Sequence, residues 1–213
     1  MLAISTTPFF SVIITTFNRA ELLLLALKSL LAQTESDWNA IIIDDGSTDN
    51  TEQIIAKYLT SNIIYIKISH SGQAIAKNTG IQNANGKYIT FLDSDDMYKI
   101  THLESRKQIL LNSPEIDFLH GGVEIIGNPF VPDKNDSSNI IHLNNCIIGG
   151  TFFIKSEVFT KTGLFENVEY GEDFEFYTRA VETGLNIRKT DIKTYIYNRN
   201  QSDSICNNQN HQF

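Results

Sequence analysis

Three short β-rich runs constrain this chain most, because each ends in polar residues instead of turning back into apolar ones. Ser11-Val12-Ile13-Ile14-Thr15 leads into Thr16-Phe17-Asn18-Arg19. Ala40-Ile41-Ile42-Ile43-Asp44 leads into Asp45-Gly46-Ser47-Thr48-Asp49, and Lys87 to Leu92 leads into Asp93-Ser94-Asp95-Asp96. A continuous short run of Val and Ile reads as a strand buried on both faces. A further strand is expected at Ile63 to Ile68. Helical patterns separate these runs. In Glu21 to Gln33, residues Leu23, Leu27, Leu30 and Leu31 fall on one face, a core-packing stripe. Asn50 to Tyr58 should be helical, with Asp49 and Glu52 at capping-box spacing. Gln73 to Asn83 is another helix, and Asn85-Gly86 is a turn. This alternation predicts an α/β fold with a mixed, mostly parallel sheet flanked by helices, in a single domain. Ligands of such sheets bind beyond the C-terminal strand ends. Thr15, Asp44, Asp45, Asp93 and Asp95 should therefore share one crevice.

The second half is less regular. His102 to Asn112 reads as a helix stopped by Pro114, and Phe118 to Ile126 as a strand containing Gly121-Gly122. Asn128 to Asn145 is rich in Asn, Asp, Ser and Pro and reads as a long loop, a candidate lid. Gly149 to Ile154 is expected to be a strand and Glu157 to Lys161 a short helix. Glu172 to Thr183 is expected to be a helix closed by Gly184, and Thr194 to Tyr197 a last strand. The tail from Asn198 is polar. Residues 10–100 read as a nucleotide-binding half, 101–200 as an acceptor and catalytic half, and 201–213 as a tail.

Composition narrows the function classes. With 213 residues and 41% hydrophobic content, the chain can bury a core without disulfides. Seventeen basic against 25 acidic residues leave a net charge of -8, which argues against a nucleic-acid partner while allowing a local basic patch. Cys146 and Cys206 form no disulfide framework. Met1 to Phe10 lacks the features of a signal peptide, and Leu22 to Leu27 is too short to span a bilayer. A cytoplasmic protein is the expectation.

The acidic pairs carry the chemistry. Asp93 and Asp95 point to the same side of an extended backbone. Two carboxylates held together repel unless a positive charge joins them, and Mg²⁺ or Mn²⁺ would supply it along with phosphate ligands. The plain alternative is a solvated turn. Asp45 can accept from a ring N–H or a ribose hydroxyl, whereas Asp49 reads as a cap. Glu172 and Asp173 open a helix, whose dipole lowers carboxyl pKa values while their mutual repulsion raises them. They are either a catalytic base pair or ordinary N-terminal acids. The five histidines show no ligand spacing, and no Walker loop or G-x-G-x-x-G is present.

Together, Ser11 to Arg19, Asp44 to Asp49, Ala76-Lys77-Asn78-Thr79-Gly80-Ile81, Gly86 to Asp96, Gly163-Leu164-Phe165-Glu166 and Glu172 to Ala180 resemble glycosyltransferase family 2, over residues 10 to 200. The resemblance implies a GT-A fold and inverting transfer of a sugar from a nucleotide diphosphate donor, UDP- or dTDP-linked, to an acceptor hydroxyl. It implies that Thr15, Thr16, Phe17, Asn18, Asp44 and Asp45 hold the nucleobase end, with Lys77, Asp93 and Ser94 further along the nucleotide. It implies Asp95, with Asp93, as metal ligands for Mg²⁺ or Mn²⁺. Asp173, beside Glu172, would be the general base, and Gly150, Thr151 and Asp96 would border sugar and acceptor.

Relatives often carry Pro where Thr15 stands, and Tyr-Arg-x-His where Tyr197-Asn198-Arg199-Asn200 stands, so Arg199 is the replacement charge expected on the diphosphate. The acceptor would be a glycan or lipid-linked precursor of cell-surface polysaccharide or lipopolysaccharide, which would bring peripheral contact with the inner face of the cell membrane. Single-sugar transfer is expected rather than polymerisation. A non-catalytic nucleotide-sugar binding module is the alternative. A nucleotidyltransferase ranks last, since Thr16 to Arg19 lacks the Gly-rich phosphate loop it needs.

Overall fold

The computed structural model describes residues 7–133, 139–168 and 171–200. The expected strand–helix alternation organises the first half. Strand β1 (Phe10–Thr16) leads to α1 (Ala20–Leu31), β2 (Trp38–Asp44), α2 (Thr51–Ile55), β3 (Ile63–Lys67), α3 (Gln73–Asn83) and β4 (Tyr88–Phe91). β1 pairs in parallel with both β2 and β4, and β2 with β3. The chain therefore winds outward from β1 to β3 on one side and places β4 on the other. The gap between β1 and β4 is a topological switch point, where strand ends splay and leave a crevice.

The second half completes the sheet and adds a smaller one. β5 (Met97–Tyr98), α4 (His102–Asn112), β6 (Phe118–His120), β7 (Val123–Ile126), β8 (Phe130–Pro132), β9 (Ile140–His142), β10 (Phe153–Lys155), α5 (Phe159–Thr162), α6 (Glu172–Glu182), β11 (Ile187–Lys189) and β12 (Tyr195–Asn198) follow. The main sheet has seven strands in the order β11-β6-β10-β4-β1-β2-β3, with β10 antiparallel to both of its neighbours. The sheet is mixed and mostly parallel, as the alternation required. β5, β12 and β7 form a second sheet, and β8 and β9 a hairpin.

Several expectations are corrected. The run Phe118 to Ile126 is two strands in two sheets, because Gly121 and Gly122 take φ values of +89° and +77° and turn the chain between them. Gly149 to Thr151 is a 3₁₀ turn rather than strand. A Cβ on Gly149 would lie 2.2 Å from Asp173 Oδ1, so the bare backbone lets this turn approach the carboxylate. The segment Asn128 to Asn145 contains the β8–β9 hairpin and a 3₁₀ turn, with 134–138 outside the described residues. Its reading as a lid is untouched by these elements. β5 and β11 are too short to stand out in the sequence. Leu31 is exposed, because at about 100° per residue it sits at the edge of the stripe that Leu23, Leu27 and Leu30 bury. The tail beyond Asn200, with Cys206, lies outside the described residues.

The apolar faces of β1, β2 and β4 form the core with α1 and α3, and with Phe10, Tyr88, Phe91 and Phe153 buried among them. Burying such side chains contributes roughly 1.5–3 kcal/mol each before entropy is subtracted. This rigid slab holds the strand ends in place.

Candidate active site

A cleft of about 780 Å³ opens at the C-terminal ends of β1, β2 and β4. Its lining includes Thr15, Thr16, Phe17, Asn18, Asp45, Asp93, Ser94, Asp95, Glu172 and Asp173. The walls also include residues to which the sequence reading gave no role: Arg19, His70, Phe174, Tyr197, Asn198, and the hairpin residues Val131 and Ile141.

At one end, the loops after β1 and β2 are tied together. Asn18 has φ +52° and accepts from Thr48 N–H at 2.7 Å, while its own N–H donates to Ser47 Oγ at 2.8 Å. Asp49 caps two helices: Oδ1 accepts from Thr51 N–H at 3.0 Å and Oδ2 from Ala20 N–H at 3.1 Å. Asp45 Oδ1 accepts from Ser71 N–H at 2.7 Å and Oδ2 from Gly72 N–H at 2.9 Å. His70 Nδ1 lies 2.8 Å from Asp45 Oδ2 and 3.0 Å from the Asp45 carbonyl. Both neighbours are acceptors, so Nδ1 carries the ring proton. The His70 ring stacks on Phe17 with centroids 4.1 Å apart. Thr16 Oγ1 is buried and finds no hydrogen-bond partner among the described residues.

At the other end the charges crowd. Asp93 is desolvated beside Asp173, Asp95 and Glu172, and its pKa is pushed up to about 7 although Lys77 pulls it down. Burial also raises Asp173, with Glu172 adding to the rise and Lys77 opposing it. Desolvation thus opposes the helix dipole at Asp173. Lys77 is buried, and its Nζ donates to Asp173 Oδ1 at 2.7 Å and Glu172 Oε1 at 3.2 Å. Gly149 N–H donates to Asp173 Oδ2 at 2.9 Å. Arg19 Nη1 meets Asp95 Oδ2 at 2.8 Å.

Six expected site residues, Asp44, Lys77, Asp96, Gly150, Thr151 and Arg199, stand behind the cleft wall instead of in it. Asp44 is fully buried, with Oδ1 taken by Ser47 N–H at 2.7 Å and Oδ2 by the Tyr65 hydroxyl, so it shapes the loop and does not reach a nucleotide. Lys77 acts through the two acids it binds. Asp96 accepts from Tyr195 OH at 2.6 Å and from Asn198 N–H at 2.8 Å, clamping β12 to the acidic loop. Burial and its acidic neighbours push its pKa well up. Thr151 accepts from Gly121 N–H at 3.0 Å, and Gly150 packs under Tyr195, so neither lines the cleft. Arg199 is buried, its N–H donates to Ile126 at 2.8 Å, and it does not line the cleft either. Arg19 was visible beside Asn18 in the sequence, but only the fold brings it to Asp95.

The residues present fit a divalent cation. Asp93 and Asp95 offer hard oxygen ligands, and a cation beside them would offset the burial and the neighbouring acids that raise the Asp93 pKa. Among the described residues no group of three or more His, Cys, Asp or Glu side chains forms a complete ligand set, so a donor's phosphates and water would have to fill the remaining positions. No helix among them is long and apolar enough to cross a membrane.

The model of glycosyl transferase family 2 matches residues 11–159. An uncharacterized glycosyltransferase of Rickettsia prowazekii is 33% identical over 184 residues, covering 80% of this chain and 58% of its own length. The Escherichia coli UDP-Glc:alpha-D-GlcNAc-diphosphoundecaprenol beta-1,3-glucosyltransferase WfgD is 33% identical over 145 residues, covering 65% of this chain and 56% of its own. The chain thus spans little more than half the length of these relatives. Staphylococcus aureus TarS 1–349 in complex with UDP-GlcNAc superposes with a TM-score of 0.77 at 22% identity, over 90% of this chain and 59% of that one. The Pyrobaculum calidifontis mannosyltransferase PcManGT, with GDP-Man and Mn²⁺, does so at 0.70 and 17% identity, over 90% of this chain and 57% of that one. Both share the GT-A fold.

Proposed function

The chain belongs to glycosyl transferase family 2, and from that premise we propose that it moves a sugar, with inversion, from a UDP- or dTDP-linked donor to an acceptor hydroxyl in cell-surface polysaccharide synthesis. The observation that carries the reading is a single cleft. Polar strand ends suited to a nucleobase occupy one side of it, and acids suited to a diphosphate and a base occupy the other. Residues 10–100 supply the donor side and residues 101–200 the acceptor side. UDP-Glc, named for the E. coli relative, and the UDP-GlcNAc in complex with the structural neighbour TarS favour a uridine donor. The diphosphoundecaprenol acceptor of the E. coli protein favours a lipid-linked diphosphate acceptor, met at the inner face of the membrane.

In this mechanism Thr15 and Asp45 hold the base, and Thr16, Phe17 and Asn18 line the same pocket. Asp45 Oδ1 accepts one protein N–H and keeps a lone pair for a ring N–H. Asp93 takes the ribose side. Asp95, with Asp93, would hold Mg²⁺ or Mn²⁺, which supplies Lewis-acid stabilisation of the leaving diphosphate. Arg19 must release Asp95 for this and is then placed to meet phosphate. Asp173 accepts the acceptor hydroxyl proton as that oxygen attacks the anomeric carbon from the face opposite the diphosphate. A base works best with a pKa close to working pH, and burial moves Asp173 in that direction. Lys77 and Gly149 N–H fix the carboxylate's orientation.

Thermal-shift titration with UDP and UDP-sugars, with and without Mn²⁺, tests the donor side. UDP binding should depend on Mn²⁺, and Asp95→Ala should remove that dependence. Asp173→Asn should lower transfer about 10²–10⁴-fold while UDP affinity stays as in the parent chain. Transfer at the parental rate in that variant would reject the base assignment. UDP binding with no transfer to any acceptor would favour a non-catalytic binding module.

A further inference from the structure

A second, smaller cavity of about 120 Å³ adjoins the cleft. Leu143, Cys146 and Ile148 line both spaces, so the segment carrying them is the wall between the two. The small cavity has the opposite electrostatic character. Its rim carries Lys189 and Lys193 against Asp191, in a chain of net charge -8. Behind the rim lies Arg106, fully buried, whose Nη2 donates to the carbonyls of Gly121 at 3.1 Å and Ile192 at 2.9 Å. Its remaining hydrogen bond is to Ser105 Oγ, and among the described residues it bonds to no carboxylate. Burial pulls its pKa down only to about 10, so at neutral pH it remains a cation without a bonded counter-charge behind this cavity. A buried charge acts through a low-dielectric medium and is screened little by salt.

The remaining lining suits an oxyanion. His120 is 6% exposed, and burial with the Lys189 charge pulls its pKa down to about 4, so the ring is neutral and keeps an N–H to donate. The volume has room for a group the size of a phosphate. A short relay also connects the cavity to the base: Thr151 lines it and its hydroxyl donates to Ile148 O at 2.7 Å. Gly149, next in the chain, gives its N–H to Asp173.

We propose that this second cavity binds the phosphate group of the acceptor, with Lys189 and Lys193 as its ligands and Asp191 limiting its affinity. The anion site stands on the cavity alone. Its assignment to the acceptor rests on the transfer reaction proposed above. A phosphate oxyanion could come from an acceptor diphosphate or from free inorganic phosphate, and the experiment separates the two.

The protein is first saturated with UDP and Mg²⁺ to occupy the cleft. Inorganic phosphate should then raise Tm, less in Lys189→Ala/Lys193→Ala and more in Asp191→Asn. A general loss of structure would not move the two variants in opposite directions. Second, KM is compared for a GlcNAc diphosphate alkyl ester and for the neutral alkyl GlcNAc glycoside. The double lysine variant should raise the first about tenfold or more and leave the second and UDP affinity unchanged, since two charge-assisted contacts are lost. Equal phosphate shifts in all three proteins would overturn the site. A site that takes inorganic phosphate while both acceptors respond alike would overturn the acceptor assignment. If the phosphate shifts follow the charge order but neither acceptor is turned over, the anion site stands and the transfer reading for this acceptor sugar fails.

Discussion

The two ends of the cleft hold carboxylates in opposite ways. Asp45 is surrounded by donors: two backbone N–H groups at 2.7 and 2.9 Å, and His70. Its charge is answered by the protein itself, so this end is finished before any ligand arrives. At the other end Asp93, Glu172 and Asp173 share the charge of Lys77, which pulls on all three, and Asp93 is pushed up to about 7. That end is short of positive charge. The difference teaches which end recognises and which reacts. Recognition needs fixed geometry, and backbone donors supply it. A reacting centre gains from groups that are unsatisfied until substrate and cation enter, because their stabilisation then belongs to the bound state.

The largest effect should come from removing the cation shared at the acidic end. Lys77→Met keeps the length of a side chain held between the rings of Phe91 and Phe165, at 5.9 and 5.2 Å from Nζ. It leaves three acids without their counter-charge. Breaking a buried pair in this way typically costs about 3–5 kcal/mol. Urea denaturation at pH 7.5 should show that loss, and the loss should shrink as pH falls and the acids protonate. A loss below about 1 kcal/mol, typical of a surface pair, would mean that the acidic end is not short of charge and that the contrast with Asp45 is false.

Much of this contrast was legible in the sequence, and the illegible part has a pattern. The parallel strands β1, β2 and β4 could be read because each is a continuous apolar run ending in polar residues. Asp45, Asp93, Asp95 and Asp173 could be located because strand ends and a helix start fix where they point. Asp44 could not be told from Asp45, since adjacent residues leave a strand on opposite sides, and only the Tyr65 and Ser47 contacts show which one turns inward. Arg19 and His70 approach acids 76 and 25 residues away, and no local periodicity encodes such contacts. The second half was harder because its strands are two to four residues long, too short for alternation to show. Gly121-Gly122 gave a signal of a break, but a glycine pair does not say that the chain changes sheets there.

A smaller effect, with a definite sign, should come from Asp93. Its folded pKa of about 7 stands above the ordinary value of 3.8. A group raised in the folded state favours folding while protonated, and that contribution is lost as pH rises through the folded pKa. The protein without cation should therefore lose stability between about pH 4 and pH 7 on account of this residue. Asp93→Asn, which cannot ionise, should be more stable than the parent at pH 8 by about 2–4 kcal/mol, with the gap closing towards pH 4. Denaturant midpoints measured across this range check it. Mn²⁺ should narrow the gap at pH 8 by supplying the parent's missing charge. A gap of the same size at every pH would remove the charge argument and leave only a packing effect.

The smallest effect should come from the finished end. The His70 side chain is 60% exposed, so its pairing with Asp45 is screened by water. Its ring also covers one face of Phe17. His70→Ala should cost less than about 1 kcal/mol of stability, since Ser71 and Gly72 N–H still hold Asp45. UDP affinity, measured calorimetrically with saturating Mg²⁺, should fall about threefold to tenfold, the cost of a looser Phe17 and one donor fewer around the carboxylate. A fall beyond a hundredfold would mean that His70 itself reads the base. Recognition would then depend on an exposed side chain, and the distinction between a backbone-built end and an incomplete one would have to be drawn elsewhere in the cleft.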